Sequence, residues 1–462
     1  MYQRYHLQTS PAPDIEALSG RFCVRVKKQG LASFLIRELI HYRGNKQVVL
    51  SRPCVYGVFS GPVGGFAPRE HLCVGCLRCA TQYPEFVQIY PNPDHQYLGD
   101  SYFTPEYVET IHYESRTGRV PVKGAGFRGP FGGLGWNGMW TDMSEIVRPT
   151  RDGIHGREFI STAVDIGPKP PFLTFDEQGR PRGQIPGTLS IPIPILFDSP
   201  PASVLSKKLL KILLAAAQEA ETLLILPAWA VKRFALHGQP IVPLVAARDG
   251  DAVRELVFEP RMIQLDGWDE QLYRQVQTWF PRSIICLRLD RVLKEELLQS
   301  TRSGIRVFHL AANYHGRGRD GRFVLDLIRE AHRTFVDVGC RDEMTLLGGG
   351  GIVAAEHVPK AIICGLDAVV LDTPVLVALQ AHFSSECADR YTSQFRLPTT
   401  LQANWGVQRA KNLLASWHDQ LLEVLGAMGL REVRRLRGEI GRAMFEADLE
   451  REAFSGIEGY GR

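Results

Sequence analysis

Between residues 190 and 402 the chain alternates short apolar runs with amphipathic stretches eight times over. No other feature constrains its fold so strongly. The expected strands are Ile191–Phe197, Thr222–Leu226, Ile241–Ala246, Met262–Leu265, Ser283–Leu289, Val307–Ala312, Thr345–Leu347 and Ala368–Leu371. Between them lie helical patterns such as Ser203–Ala220, Glu270–Phe280, Leu293–Ser300, Val324–Phe335 and Ala355–Cys364. Strands that are apolar nearly throughout are buried on both faces, and helices between them supply parallel crossovers. Eight such units in a row predict an α/β fold, a (β/α)8 TIM barrel; a doubly wound open sheet is the alternative.

Ahead of the barrel stands a cysteine run, Cys73-Val-Gly-Cys76-Leu-Arg-Cys79-Ala-Thr-Gln-Tyr83-Pro84. It matches the ferredoxin spacing C-x2-C-x2-C-x3-C-P with Tyr83 where the last cysteine belongs. That last cysteine serves the other cluster in two-cluster ferredoxins, so its loss predicts a single cluster. A [4Fe–4S] cube takes four thiolates, and the expected set is Cys54, Cys73, Cys76 and Cys79. Cys54 sits in the turn-like stretch Arg52-Pro53-Cys54-Val-Tyr-Gly57, and Cys23 is the runner-up for the remote ligand. Structural zinc is the competing occupant, since the same spacing suits it.

Composition adds limits. The chain has 462 residues, 23% of them charged, and a net charge of +4, which singles out no nucleic-acid partner. Its nine cysteines form no disulfide-scaffold pattern, and a cluster is best kept in a reducing setting, so a cytoplasmic location is expected. Met1-Tyr-Gln-Arg-Tyr-His carries no apolar signal core, and the most apolar stretch, Ile212 to Val231, is interrupted by Gln218, Glu219, Glu221 and Pro227. No direct membrane span is expected. The predicted organisation is an iron–sulfur, ferredoxin-like domain over 1–119, a glycine- and proline-rich connector over 120–189, the barrel over 190–402, and terminal helices over 403–462. In the last, Leu413, Leu414, Trp417, Leu421, Val424, Leu425 and Met428 recur at helical spacing, as in a docking helix.

The seventh expected strand runs into Gly348-Gly349-Gly350-Gly351-Ile352, and the eighth into Asp372-Thr373. In a barrel these two loops most often bind phosphate, through bare backbone N–H groups and a helix N-terminus. Gly349, Gly350, Gly351, Asp372 and Thr373 are therefore candidate cofactor ligands. Asp372 is discordant, because a carboxylate beside a phosphate costs binding unless it turns away or accepts a hydrogen bond from Thr373 or the helix N-terminus. The sixth loop, His315-Gly-Arg317-Gly-Arg319-Asp-Gly-Arg322, brings arginines to the same mouth. With Arg288 at the end of the fifth strand, Arg317 and Arg319 are the expected anchors for an acidic substrate; a solvated basic turn is the plain alternative. His155 and His315 read as hydrogen-bonding loop residues, Trp136 and Trp140 as packing anchors, and Lys123 as solvated.

The stretch Val122-Lys-Gly-Ala-Gly-Phe, then Trp140-Thr-Asp-Met-Ser-Glu-Ile-Val-Arg-Pro-Thr-Arg-Asp-Gly-Ile-His-Gly-Arg-Glu, resembles ferredoxin-linked members of the glutamate synthase family. So does the order of parts from Cys54 onward. The resemblance implies a barrel that holds FMN, with its phosphate at Gly349-Gly350-Gly351-Ile352 and Ala368-Val-Val-Leu-Asp372-Thr373. It implies reduction of 2-iminoglutarate, formed from 2-oxoglutarate and ammonia, to glutamate. Electrons would come from ferredoxin or another redox subunit, and ammonia from a separate amidotransferase subunit, within a hetero-oligomer.

Departures from the family fall on the substrate side. The loop after the first strand is Asp198-Ser-Pro-Pro-Ala202, and that after the second is Pro227-Ala-Trp-Ala-Val231. The long pocket-closing loop is missing, since Gln264-Leu-Asp-Gly-Trp268 leads straight to a helix. The family's three cysteines beyond the last strand are reduced to Cys387. Three functions stay open: a glutamate-synthase-like iron–sulfur flavoprotein, an electron-transfer subunit, and a degenerate structural subunit of a larger redox complex.

Overall fold

The computed structural model describes residues 5–50, 54–121, 133–141, 159–170, 172–182 and 187–457. Most of the two connector segments that carry the family resemblance, with Lys123 and His155, lies outside these. The chain forms two compact units, Asp14–Pro105 and the remainder.

The smaller unit is built on an antiparallel hairpin, Phe22–Val26 with Val87–Pro91. Its alternation sends Val24 inward, where it packs with Val58 and Cys73. A helix, Lys28–His41, presses Phe34 against Tyr83 and Phe86, with ring centroids 4.8 and 5.4 Å away. Gly30 is required at that crossing, because a Cβ there would lie 2.6 Å from Phe86.

In the larger unit eight parallel strands close into a barrel: Ile195–Phe197, Leu224–Pro227, Ile241–Val245, Met262–Asp266, Ile284–Leu289, Val307–Ala311, Thr345–Gly349 and Ala368–Leu371. All eight were legible in the apolar pattern. The first is shorter than expected, since Pro192 and Pro194 remove two backbone donors from the Ile191–Phe197 run. Leu189–Ile191 pairs instead with Val164–Ile166 in a separate hairpin. Gly167, after that hairpin, exchanges hydrogen bonds with Thr345 Oγ1 at 3.2 and 3.1 Å, which sets the hairpin against the N-terminal end of the barrel.

The covering helices follow their sequence signals. Ser206 caps Lys207–Glu219 and Asp269 caps Glu270–Trp279, each accepting from a backbone N–H three residues on. Val324–Asp337 buries Val324, Leu327, Ile328, Ala331 and Phe335 along one stripe. The long helix Ala403–Ala427 lies on Lys207–Glu219, where Gly406 brings it so close that a Cβ would stand 2.9 Å from Ile212. Its periodic residues Leu413, Leu414, Trp417, Leu421 and Leu425 are buried, and Trp417 Nε1 donates to Glu114 at 2.8 Å. This helix covers the chain's own barrel. Among the described residues no helix is long and apolar enough to cross a membrane.

Asp367, just before the eighth strand, ties the N-terminal end together. It accepts from Arg341 (2.9 Å), Arg437 (3.0 Å), Lys169 (3.3 Å) and the Leu346 N–H (2.8 Å). Burial alone would raise its pKa, but the three cations hold it well below the usual carboxylate range. A carboxyl depressed in the fold stabilises above its ordinary pKa and ceases to do so as acid protonates it. Asp367→Ala should therefore cost about 3 kcal/mol in urea unfolding at neutral pH, and the deficit should begin to shrink only below about pH 4, the ordinary carboxylate value.

Candidate functional site

Two groups of side chains have the chemistry of a site, one in each unit. In the smaller unit the chain is wound so that its cysteines converge. Cys54 opens a turn closed by Gly57 N–H to Cys54 O at 2.8 Å. Cys73 follows a 3-10 turn, Glu70–Leu72, whose Glu70 carboxylate accepts from the Val24 N–H at 3.0 Å. Gly75 (φ 65°) and Leu77 (φ 59°) then take left-handed conformations that curl Cys76 and Cys79 back on Cys73. At Gly75 no side chain fits, since a Cβ would lie 2.3 Å from Phe22.

Cys54 packs against the same core as Cys73. Burial raises the Cys79 thiol, and Cys73, Cys76 and Cys54 all lie near enough to raise it further. Cys23 alternates to the other face of the hairpin from Val24, and its charged neighbours are Glu70, Asp94 and Arg25, not cysteines. Tyr83 is held in the aromatic trio with Phe34 and Phe86. Among the described residues no three of these sulfurs lie mutually within 4.8 Å. Four thiols on a tight glycine-turned loop suit a [4Fe–4S] cube.

The second group fills the C-terminal mouth of the barrel. Asp198, at the end of the first strand, is clamped from two sides. Arg288 donates from both terminal nitrogens, each at 3.2 Å, and Arg390 donates at 2.5 Å. The Ser199 N–H adds a fourth bond at 2.8 Å. Burial would raise Asp198, but the guanidiniums override it and hold the carboxyl far below its ordinary pKa. Below them Arg288 also donates to Gln264 Oε1 at 3.4 Å, which turns the amide nitrogen toward His309 Nδ1, 2.9 Å away. The proton of His309 thus sits on Nε2. Burial, then the Arg288 charge, lowers this histidine to about 3, so it is neutral.

The two glycine- and aspartate-bearing loops meet the same mouth. Gly351 N–H donates to Tyr314 O at 3.3 Å, and Gly351 O accepts from Trp136 Nε1 at 2.9 Å. A Cβ on Gly350 would stand 2.4 Å from Asn313 O, and one on Gly349 2.8 Å from Val370 O. The glycines press on neighbouring backbone rather than lining open space. Asp372 turns its carboxylate onto the Thr373 N–H at 2.5 Å, capping a helix of six residues. Burial, with Asp198 adding, raises Asp372 to about 7. A cavity of about 10 Å³ remains here, between Asp198, Phe197, Asp372 and Leu376. Cofactor pockets run to several hundred Å³. Between Asp198 and Asp372 the described residues leave no cofactor-sized cavity.

Of the expected substrate anchors, Arg288 is buried and committed to Asp198. Arg317 and Arg319 are exposed on their turn, Arg317 lying 5.7 Å over the Phe323 ring. Trp136 is fully buried and stacks on His357, whereas Trp140 is exposed on a short strand. Arg390, Tyr314 and His309 were not singled out in the sequence. A larger cavity, about 240 Å³, opens at the opposite end of the barrel beside Asp367. Its cations are paired, Lys169 and Arg437 with Asp367 and Arg434 with Asp165, so it belongs to the N-terminal lock.

Residues 311–431 match the family model described as the conserved region in glutamate synthase. The chain is 23% identical to an archaeal-type glutamate synthase [NADPH] of Dehalococcoides mccartyi, over 80% of this chain and 86% of that one. It is also 23% identical to the archaeal glutamate synthase [NADPH] of Archaeoglobus fulgidus, over 89% and 94%. Among solved structures, a mandelate oxidase superposes with a TM-score of 0.40 at 16% identity, over 64% of this chain and 98% of that one, which adds nothing to the barrel already described.

Two outcomes follow from the mouth. Asp198→Ala leaves the buried Arg288 and the half-buried Arg390 guanidiniums without this counter-charge and should cost about 3 kcal/mol, read as a lowered Tm. Asp372 is neutral in the fold up to about pH 7 but ionises near its ordinary value when unfolded, so its contribution to stability falls as pH rises between the two. Asp372→Asn cannot ionise, so its Tm should gain on the wild type between about pH 5 and about pH 8.

Proposed function

As a member of the glutamate synthase family, this chain is, we propose, an iron–sulfur oxidoreductase component that holds one [4Fe–4S] cluster and passes single electrons within a larger redox assembly. The observation that carries this is the approach of Cys54 to the Cys73, Cys76 and Cys79 loop. Cys54, Cys73, Cys76 and Cys79 would hold the cluster as thiolates, and the bound cluster would supply one-electron exchange. The protein's share is to gather four thiols in one place and to pack Phe22, Val24, Val58 and Phe59 around them. The natural partners are ferredoxin or another redox subunit as donor, and further subunits as acceptor.

The fuller reading makes glutamate from 2-oxoglutarate and ammonia on this chain. It draws on the likeness to relatives named glutamate synthase [NADPH] and needs a reduced flavin beside an open arginine. The Arg288 guanidinium is engaged by Asp198, so the electron-carrying component is the reading that the geometry favours.

Iron, acid-labile sulfide and zinc assays on anaerobically purified protein test the cluster. About four irons per chain are expected, lost in Cys54→Ser and Cys73→Ser and kept in Cys23→Ser. Zinc without sulfide, or iron that survives Cys54→Ser, would sink the assignment. Incubation with 2-oxoglutarate, ammonia and a reduced donor should yield no glutamate; steady turnover would replace the carrier by a complete synthase.

A further inference from the structure

We propose that the chain's own carboxylates stand in for the flavin: Asp372 takes the phosphate position at the eighth strand, and Asp198 takes the cationic groups of the mouth, so that the barrel holds no FMN. Three independent observations converge on this.

The first is the fate of the donors. A phosphate at these loops needs free backbone N–H groups. Gly351 N–H is given to Tyr314 O and Thr373 N–H to Asp372 Oδ1. The second is charge. A phosphate brings up to two negative charges, and the cations nearby are the buried Arg288 and the half-buried Arg390. Both are spent on Asp198, one of them through a two-pronged pairing that leaves neither oxygen of Asp198 for another donor set. A flavin would have to break that buried pairing and then sit beside two carboxylates.

The third is space. The glycines of the seventh loop lie against Asn313, Ala312 and Val370 backbone, and the residual cavity of about 10 Å³ has room for one water at most. Of the residues lining it, Asp372 carries a buried Oδ2 with no protein partner. A single water beside Asp372 is an occupant of the right size and polarity.

The source of Arg390 supports the same conclusion. It comes from the segment beyond the eighth strand, where the resemblance would place three cysteines and this chain keeps Cys387. An Asx turn, in which Asp389 Oδ1 accepts from Tyr391 N–H at 2.8 Å and Thr392 N–H at 3.1 Å, aims Arg390 inward. Its guanidinium lies 5.6 Å over the Tyr314 ring and reaches Asp198. Arg390 thus bolts the segment beyond the eighth strand across the mouth.

The test uses the full chain with its cluster, expressed with riboflavin supplied. Released flavin and iron are measured in the same hydrolysate, so that loss of the cluster is never mistaken for loss of flavin. Flavin far below one per chain is expected, and stoichiometric FMN would overturn the proposal. FMN is then titrated by quenching of its fluorescence. No saturation is expected for the wild type, and binding with a micromolar Kd would overturn the proposal even if none was carried through purification. Asp198→Gly with Asp372→Gly should bind FMN at least about tenfold more tightly than the wild type, since the Asp198 charge and the blocked Thr373 N–H are both relieved. A folded double variant, judged by its iron and circular dichroism, that gains nothing would overturn the stand-in role. If the variant does not fold, the wild-type titration decides.

Discussion

A barrel of eight parallel strands exists only if its last strand finds its first, and that seam is short here. Val369 pairs with Ile195, Val370 with Leu196 and Leu371 with Phe197, and the Asp198 N–H extends the ladder to Leu371 O at 2.7 Å. Three residue pairs leave the register of this seam only lightly specified by backbone bonds. A buried carboxylate next to each end of the seam adds what is missing. Asp367, before the eighth strand, gathers Arg341, Arg437 and Lys169, and Asp198, after the first, gathers Arg288 and Arg390. Each pairing is worth little in net stability while intact and a great deal once one partner is removed. That asymmetry makes the closure specific.

The same arrangement decides what the mouth can do. A carboxylate that completes the seam consumes the guanidiniums which an acidic ligand would need. Closure and ligand binding compete for Arg288 and Arg390, and in this chain closure has them both. The smaller unit shows no such conflict. There the strained backbone at Gly75 and Leu77 and the tight fit on Phe22 serve only to gather sulfur.

The strands were legible because burial on both faces leaves a continuous apolar run, a local signal that needs no partner to be read. Misreading Ile191–Phe197 as one strand came from weighing hydrophobicity above Pro192 and Pro194. The cysteine loop was legible for a similar reason, as its spacing is local. Cys54 was reached by turn chemistry, and in the fold it packs against the same small core as Cys73. The lock at the mouth was not legible. Asp198 and Arg390 are 192 residues apart, Asp198 and Arg288 90 apart, and no periodicity joins them. Arg288 was correctly set at the end of its strand, yet a lone arginine there reads as a substrate anchor until its carboxylate is seen. Asp372 was flagged as out of place, and its turn onto Thr373 N–H is the outcome that helix-terminus electrostatics dictates.

Tyr83 carries a consequence of another kind. By packing between Phe34 and Phe86 it gives the loop sulfur for one cluster and no second. A lone cluster changes its charge by one electron per event. Reduction of a carbon–nitrogen double bond takes electrons in pairs. With one such centre and no flavin, the proposed carrier would have an odd-electron output, and the pairing of electrons would fall to whatever it touches next.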